Sequence, residues 1–200
     1  MRLEPALEVV GALKRRFGEP MTVTDICRLV PLSYQPVYEY VRGLAKADAL
    51  SVRKEGQRLL CEPAATAAVS LWLAQWSVRE LRTVRDPLLR ELAGALEGRK
   101  RDHAAIAACD PLERGRVEVY LTEAPNEGLP YPARVHVVSP DELADRLKGP
   151  DGQWALARRV VPVVGHQQLW ALALTVREQA AGRLARPQTT PVRRRSVFID

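Results

Sequence analysis

The feature that most restricts this chain is a change of period within its first sixty or so residues: helical spacing in three successive segments, then alternation. Leu3, Leu7, Val10, Leu13 and Phe17 recur at three- and four-residue steps, which predicts an amphipathic helix over residues 3–17, with Lys14, Arg15 and Arg16 near its C-terminal end. Gly18 and Pro20 end it. Thr22, with Asp25 three residues on, forms a cap that opens a short helix with Ile26, Leu29 and Val30 inward, and Pro31 stops that helix. After a tight turn Ser33 is placed to cap a third helix, whose first turn tolerates Pro36 because N–H groups there lack intrahelical partners. Val37, Val41 and Leu44 form its apolar face. From Leu50 the pattern alternates: Leu50-Ser51-Val52 and Leu59-Leu60-Cys61 read as strands flanking a charged tip, Arg53 to Arg58, before Pro63.

The other face of the third helix carries Tyr34, Gln35, Tyr38, Glu39, Arg42 and Lys46, a polar and aromatic set on a helix that follows another after a tight turn. The stretch LSYQPVYEYVRGLAKADALSVRKEGQRLL resembles the winged helix-turn-helix regulators of the MarR, ArsR and GntR types, over about a third of the chain. The resemblance implies that Leu44 and Leu50 fix the helix against the wing and that Glu55-Gly56 forms the wing turn. It also implies a double-stranded DNA partner, with the third helix in the major groove and wing arginines beside phosphates or in the minor groove. Gln35 and Arg42 are then the candidates for base hydrogen bonds, and Tyr34 and Tyr38 for phosphate or sugar. Ser33, Lys46, Arg53, Lys54, Gln57 and Arg58 complete the expected interface. Glu39 and Asp48 oppose a polyanion, and the plainer alternatives are a solvated face or a protein-binding winged helix.

Net charge agrees with a polyanionic partner without demanding one. The chain carries +6, yet residues 1–62 hold ten basic against eight acidic side chains, whereas residues 177–200 hold six arginines against Glu178 and Asp200. The basic tail, residues 187–200, is expected to be extended, with Ser196-Val197-Phe198-Ile199 apolar enough to dock as a terminal strand. No apolar run reaches the roughly eighteen residues of a membrane span, and the opening MRLEPALEVV lacks a secretory pattern, so a cytoplasmic protein is expected. Cys27, Cys61 and Cys109 are far apart and form no CxxC pair, which suggests neither disulfide framework nor zinc site.

Beyond Pro63, residues 64–84 read as a long helix with Val69, Leu71, Trp72, Leu73, Trp76, Val78, Leu81 and Val84 in a broad apolar stripe. Two tryptophans one turn apart call for a partner surface, either a second domain or the same helix of a second chain in a homodimer. Asp86-Pro87 starts a further helix, Leu88 to Leu96, ending at Gly98. Residues 63–98 are thus expected to link or dimerise, between the DNA-binding residues 1–62 and an α/β region at 99–186 that offers a surface for a protein partner.

In that last region Arg116–Leu121 and Arg134–Val138 alternate as strands around a loop from Asn126 to Pro132. Ser139-Pro140-Asp141-Glu142 is a capping box opening a helix through Leu143 and Leu147 to Gly149. Val160–Val164 is a third strand, at an edge because of Pro162, and Gln167 to about Leu184 is a helix with Leu169, Leu172, Ala173 and Val176 inward. The whole reads as an α+β chain. The stretch ARVHVVSPDELADRLKGPDGQWALARRVVPVVG resembles the later part of small nucleotidyltransferase domains. Those enzymes hold magnesium with a pair of aspartates two apart and a third carboxylate. Here Arg116 and Glu118 stand at the pair and His136 at the third acid, so the resemblance implies a degenerate domain without catalysis or cofactor. The alternative is a nucleotidyltransferase-like toxin–antitoxin component whose winged helix regulates its own operon. His103, His136 and His166 have no ligand partners at metal spacing, and no P-loop, GxGxxG or GxSxG occurs.

Overall fold

Residues 2–83, 90, 91, 94, 107–112, 116–122 and 134–182 are described in the computed structural model, and they form a mixed helix-and-sheet fold of the α+β class. The first half runs α1 (Leu3–Arg15), β1 (Met21–Thr22), α2 (Val23–Cys27), α3 (Tyr34–Lys46), β2 (Leu50–Glu55) and β3 (Arg58–Pro63). α1 stops two residues before the periodic signal does. Gly18 turns the chain with φ +88°, and Phe17 is fully buried past the helix end, so its apolar character reports the core and not the helix.

The start of α2 follows from its capping box. Thr22 Oγ1 accepts from the Asp25 N–H at 3.1 Å, and Asp25 Oδ2 accepts from the Thr22 N–H at 3.1 Å and from its hydroxyl at 2.7 Å. Those bonds from Thr22 hold the Asp25 carboxyl below the usual aspartate range. A depressed value stabilises the fold above the unfolded-state pKa, and that contribution is lost as pH falls through the folded value. Asp25→Ala is expected to cost about 1 kcal/mol at neutral pH, with the gap to the parent narrowing below pH about 4; urea unfolding at the two pH values measures it. Ile26 and Val30 point inward, but Leu29 is 37% exposed. α2 ends at Cys27, so Leu29 leaves the helical face, and its carbonyl accepts from Arg15 Nη1 at 3.3 Å.

Val37, Val41 and Leu44 seat α3 on the core as their spacing predicted, with Ser33 at the cap position but making no side-chain cap bond. β2 and β3 pair antiparallel from Leu50 opposite Pro63 to Glu55 opposite Arg58. The turn is therefore Gly56-Gln57, one residue later than Glu55-Gly56. Gly56 takes φ +58°, a conformation in which glycine carries no Cβ penalty. β1 adds to the other side of β3, with Met21 opposite Cys61, in the order β1-β3-β2.

The second half comprises α4 (Ala67–Thr83), β4 (Ala107–Leu112), β5 (Arg116–Leu121), β6 (Arg134–Val137), α5 (Pro140–Lys148), a 3-10 turn (Pro150–Gly152), α6 (Ala155–Arg159), β7 (Val161–Val164) and α7 (His166–Ala180). Ser139 and Glu142 form the expected box at the start of α5, with Gly149 at its end. The sheet order is β6-β5-β4-β7, with β5 and β6 parallel and the other pairs antiparallel. β7 is an edge strand, which accommodates Pro162, a residue that cannot donate to a ladder. Leu169 and Ala173 of α7 are buried, Leu172 and Val176 only partly.

One cluster of buried apolar side chains runs through both halves, from Leu7 and Phe17 through Leu44 and Leu73 to Leu147 and Trp170. α4 packs on α1, α7 and β7, so its tryptophans are met within this chain. Trp76 lies against Gly11, where an added Cβ would fall 2.5 Å from the ring. The position expected to divide the chain, residue 62/63, thus falls inside a shared core. The loop Phe17-Gly18-Glu19 is held from the other half: Arg158 Nε donates to the Phe17 carbonyl at 3.0 Å and Arg158 Nη2 meets Glu19 at 2.7 Å. Lys14 is buried and donates to both Glu80 oxygens, at 3.1 and 3.2 Å. Burial pushes the Cys61 and Cys109 thiols up to about 11 and about 12, and all three cysteines are free.

Among the described residues no helix is long and apolar enough to cross a membrane. The Asp86-Pro87 start of a further helix, most of Leu88–Leu96, Gly98, His103, the loop from Asn126 to Pro132 and the basic tail lie outside the described residues.

Candidate nucleic-acid interface

α3 is held by three buried side chains, which leaves its remaining surface to Ser33, Tyr34, Gln35, Glu39, Arg42 and Lys46, all exposed, and Tyr38, half-buried. Three of them form a row. Tyr34 and Tyr38, one turn apart, stack with centroids 6.2 Å apart and planes 8° apart, and the Arg42 guanidinium lies 5.8 Å from the Tyr38 ring centroid. The i, i+4, i+8 spacing aligns them along α3. The cation is thereby placed over a π face, an arrangement that orients a side chain without consuming its hydrogen-bond donors. Gln35 is engaged differently: its Nε2 donates to Glu39 Oε1 at 2.9 Å. That bond restrains the amide and leaves the Glu39 charge in place, a pairing the sequence alone did not reveal.

The hairpin candidates fall into two places. Gln57 and Arg58 join Tyr34 around a cleft of about 430 Å³ that also includes Thr22, Asp25 and Arg28. Arg28 was missed from the sequence. It is highly exposed and paired with Asp25 at 3.2 Å, and only the fold brings it beside the start of α3. Lys54 is opposite Leu59 and thus on the hairpin face that also carries Val52 and Cys61. Arg53, by contrast, lines a second cleft shared with Lys148 and Trp154 of the other half. Tyr34, Gln57 and Arg58 thus line one cleft and Arg53 another, although the register puts Arg53 and Arg58 on the same face of the hairpin and Lys54 on the other. The basic cluster at the end of α1 is spent internally, on Glu80, the Leu29 carbonyl and Glu19.

In the second half, Glu118 accepts from the Tyr120 hydroxyl at 2.7 Å and lies 3.6 Å from His136 Nε2, with the Tyr120 and His136 rings stacked at 5.1 Å. The Tyr120 bond, aided by the charges of His136, Arg134 and Arg146, holds the Glu118 carboxyl below the usual glutamate range. This donor set does not fit a pair of magnesium ions: Glu118 is already engaged, and among the described residues no three His, Cys, Asp or Glu side chains are grouped to hold a metal. Compared with protein families, with curated proteins and with solved structures, the chain matches none.

Proposed function

We propose that this chain is a sequence-specific double-stranded DNA-binding regulator. In this reading residues 1–62 form a winged helix, α3 enters the major groove and the β2–β3 hairpin is the wing. The observation that carries it is the exposed row of Tyr34, Tyr38 and Arg42 on the last helix of a three-helix unit, with Gln57 and Arg58 of a short antiparallel hairpin beside its start. A major groove about 12 Å wide admits one helix, and Arg42, oriented by Tyr38, presents a guanidinium fork suited to guanine O6 and N7. Gln35 reads a base once it releases Glu39. Arg58 and Lys54 lie on phosphates, and Tyr34 contacts sugar or phosphate. A chain that acts in this way works in the cytoplasm on genomic DNA, and a homodimer would place two α3 helices on half-sites about one helical turn apart.

The test is selection of bound fragments from genomic DNA, followed by anisotropy titration of the recovered duplex. Gln35→Ala and Arg42→Ala are each expected to cost about 1 to 3 kcal/mol on the selected site and much less on random duplex. Arg58→Gln should weaken both alike and flatten the salt slope by about one unit. Unchanged affinity in all three variants rejects this face.

A further inference from the structure

The cleft lined by Arg53 is enclosed on its far side by the second half of the chain. It measures about 550 Å³ and lies among Arg53, Lys148, Gly149, Gly152, Trp154 and Arg177, with Glu62 as the acid in its wall. Among the described residues neither Arg53 nor Lys148 forms an ion pair or side-chain hydrogen bond, although they come from opposite halves of the sequence. Arg177 is of another kind. Only 7% exposed, it uses Nη2 on the Pro63 carbonyl and on Glu178, while its buried Nη1 has no hydrogen-bond partner among the described residues. With Arg177 paired to Glu178, the lining sets Arg53 and Lys148 against Glu62 and so carries more positive than negative charge. Gly149 and Gly152 lie at the rim, both at positive φ, with open space around each.

We propose that this cleft is a binding site for a small, multiply charged anion of the phosphate-ester or diphosphate class. Arg53 and Lys148 line it from the two halves of the chain, and the Arg177–Glu178 ion pair lies in its wall. A ligand with two anionic ends can meet both cations at once, as a single carboxylate does less well. The site stands independently of the DNA-binding reading, yet it has a consequence for it: an anion bound there holds Arg53 toward the second half of the chain.

Inorganic pyrophosphate, titrated calorimetrically into the full chain at fixed ionic strength, tests the proposal. Saturable binding of one equivalent is expected, weakened about tenfold or more by Lys148→Gln, a change at a half-buried residue outside the core cluster, and unaffected by Arg134→Gln, an exposed cation of β6 outside the cleft. Absence of saturable binding, or equal binding by the parent and Lys148→Gln, overturns the site. So does a third pattern, in which Lys148→Gln lowers affinity for a random duplex while pyrophosphate does not bind, because the cleft would then serve backbone phosphates of DNA.

Discussion

Trp170→Ala is expected to destabilise the protein by about 3 to 5 kcal/mol, a large part of the stability of an ordinary domain. Trp170 has no exposed surface, its ring lies 5.8 Å from Phe17, and its Nε1 donates to Ser77 Oγ at 2.9 Å. Truncation therefore removes a large apolar volume at the place where α1, α4 and α7 meet and withdraws the donor from a buried hydroxyl. Trp170→Phe separates the two effects. It keeps most of the volume and should cost about 1 to 2 kcal/mol, chiefly for the lost bond and the smaller ring. Because the same core serves both halves, urea unfolding should show one transition by far-UV and near-UV circular dichroism in parent and variants alike. Two separated transitions, or a loss under about 1 kcal/mol for Trp170→Ala, would mean that the halves are not joined as described.

The second large effect is expected at Gly18. Its φ of +88° disfavours any side chain, and a Cβ there would stand 2.1 Å from Trp154 Cδ1. Trp154 cannot easily yield, since it is buried, packs edge-on against Phe17 at 5.4 Å and itself occupies a left-handed conformation. Backbone strain of about 1 to 3 kcal/mol adds to an overpacking cost of similar size, so Gly18→Ala should lose about 2 to 5 kcal/mol. Gly56→Ala is the internal comparison. It has a similar positive φ of +58° but open space around it, so only the strain of about 1 kcal/mol remains. Thermal melts of the two variants give the difference directly, and equal losses would show that contact with Trp154 contributes nothing.

How far these features could be read from the residues depends on the range of the interaction that sets them. Both capping boxes, Thr22 with Asp25 and Ser139 with Glu142, close within three residues and were legible. So was the edge position of β7, because Pro162 carries its restriction with it. β1 was not: two residues have no period, and Met21–Thr22 is a strand only because Cys61 and Leu60 lie beside it. β4 contains Asp110 and Pro111 and lacks alternation, so its place between β5 and β7 is decided by its neighbours. The exposed face of α3 followed from Val37, Val41 and Leu44, whereas the Gln35–Glu39 bond depends on side-chain rotamers. Arg28 and Arg53 show the same limit: their cleft partners lie in other elements, and no spacing along the chain records which cation turns to which side.

Pro162 also matters for what the second sheet can do in company. An outer strand normally offers a ladder of free donors and acceptors on which a stranger's backbone can assemble, the usual route to aggregation of exposed sheets. On this margin the imide nitrogen leaves a missing rung, and the side chains of β7 are all buried, so neither backbone nor apolar surface invites a newcomer. Growth of the sheet by recruitment is thereby discouraged at one end, whatever happens at Arg134–Val137 on the other.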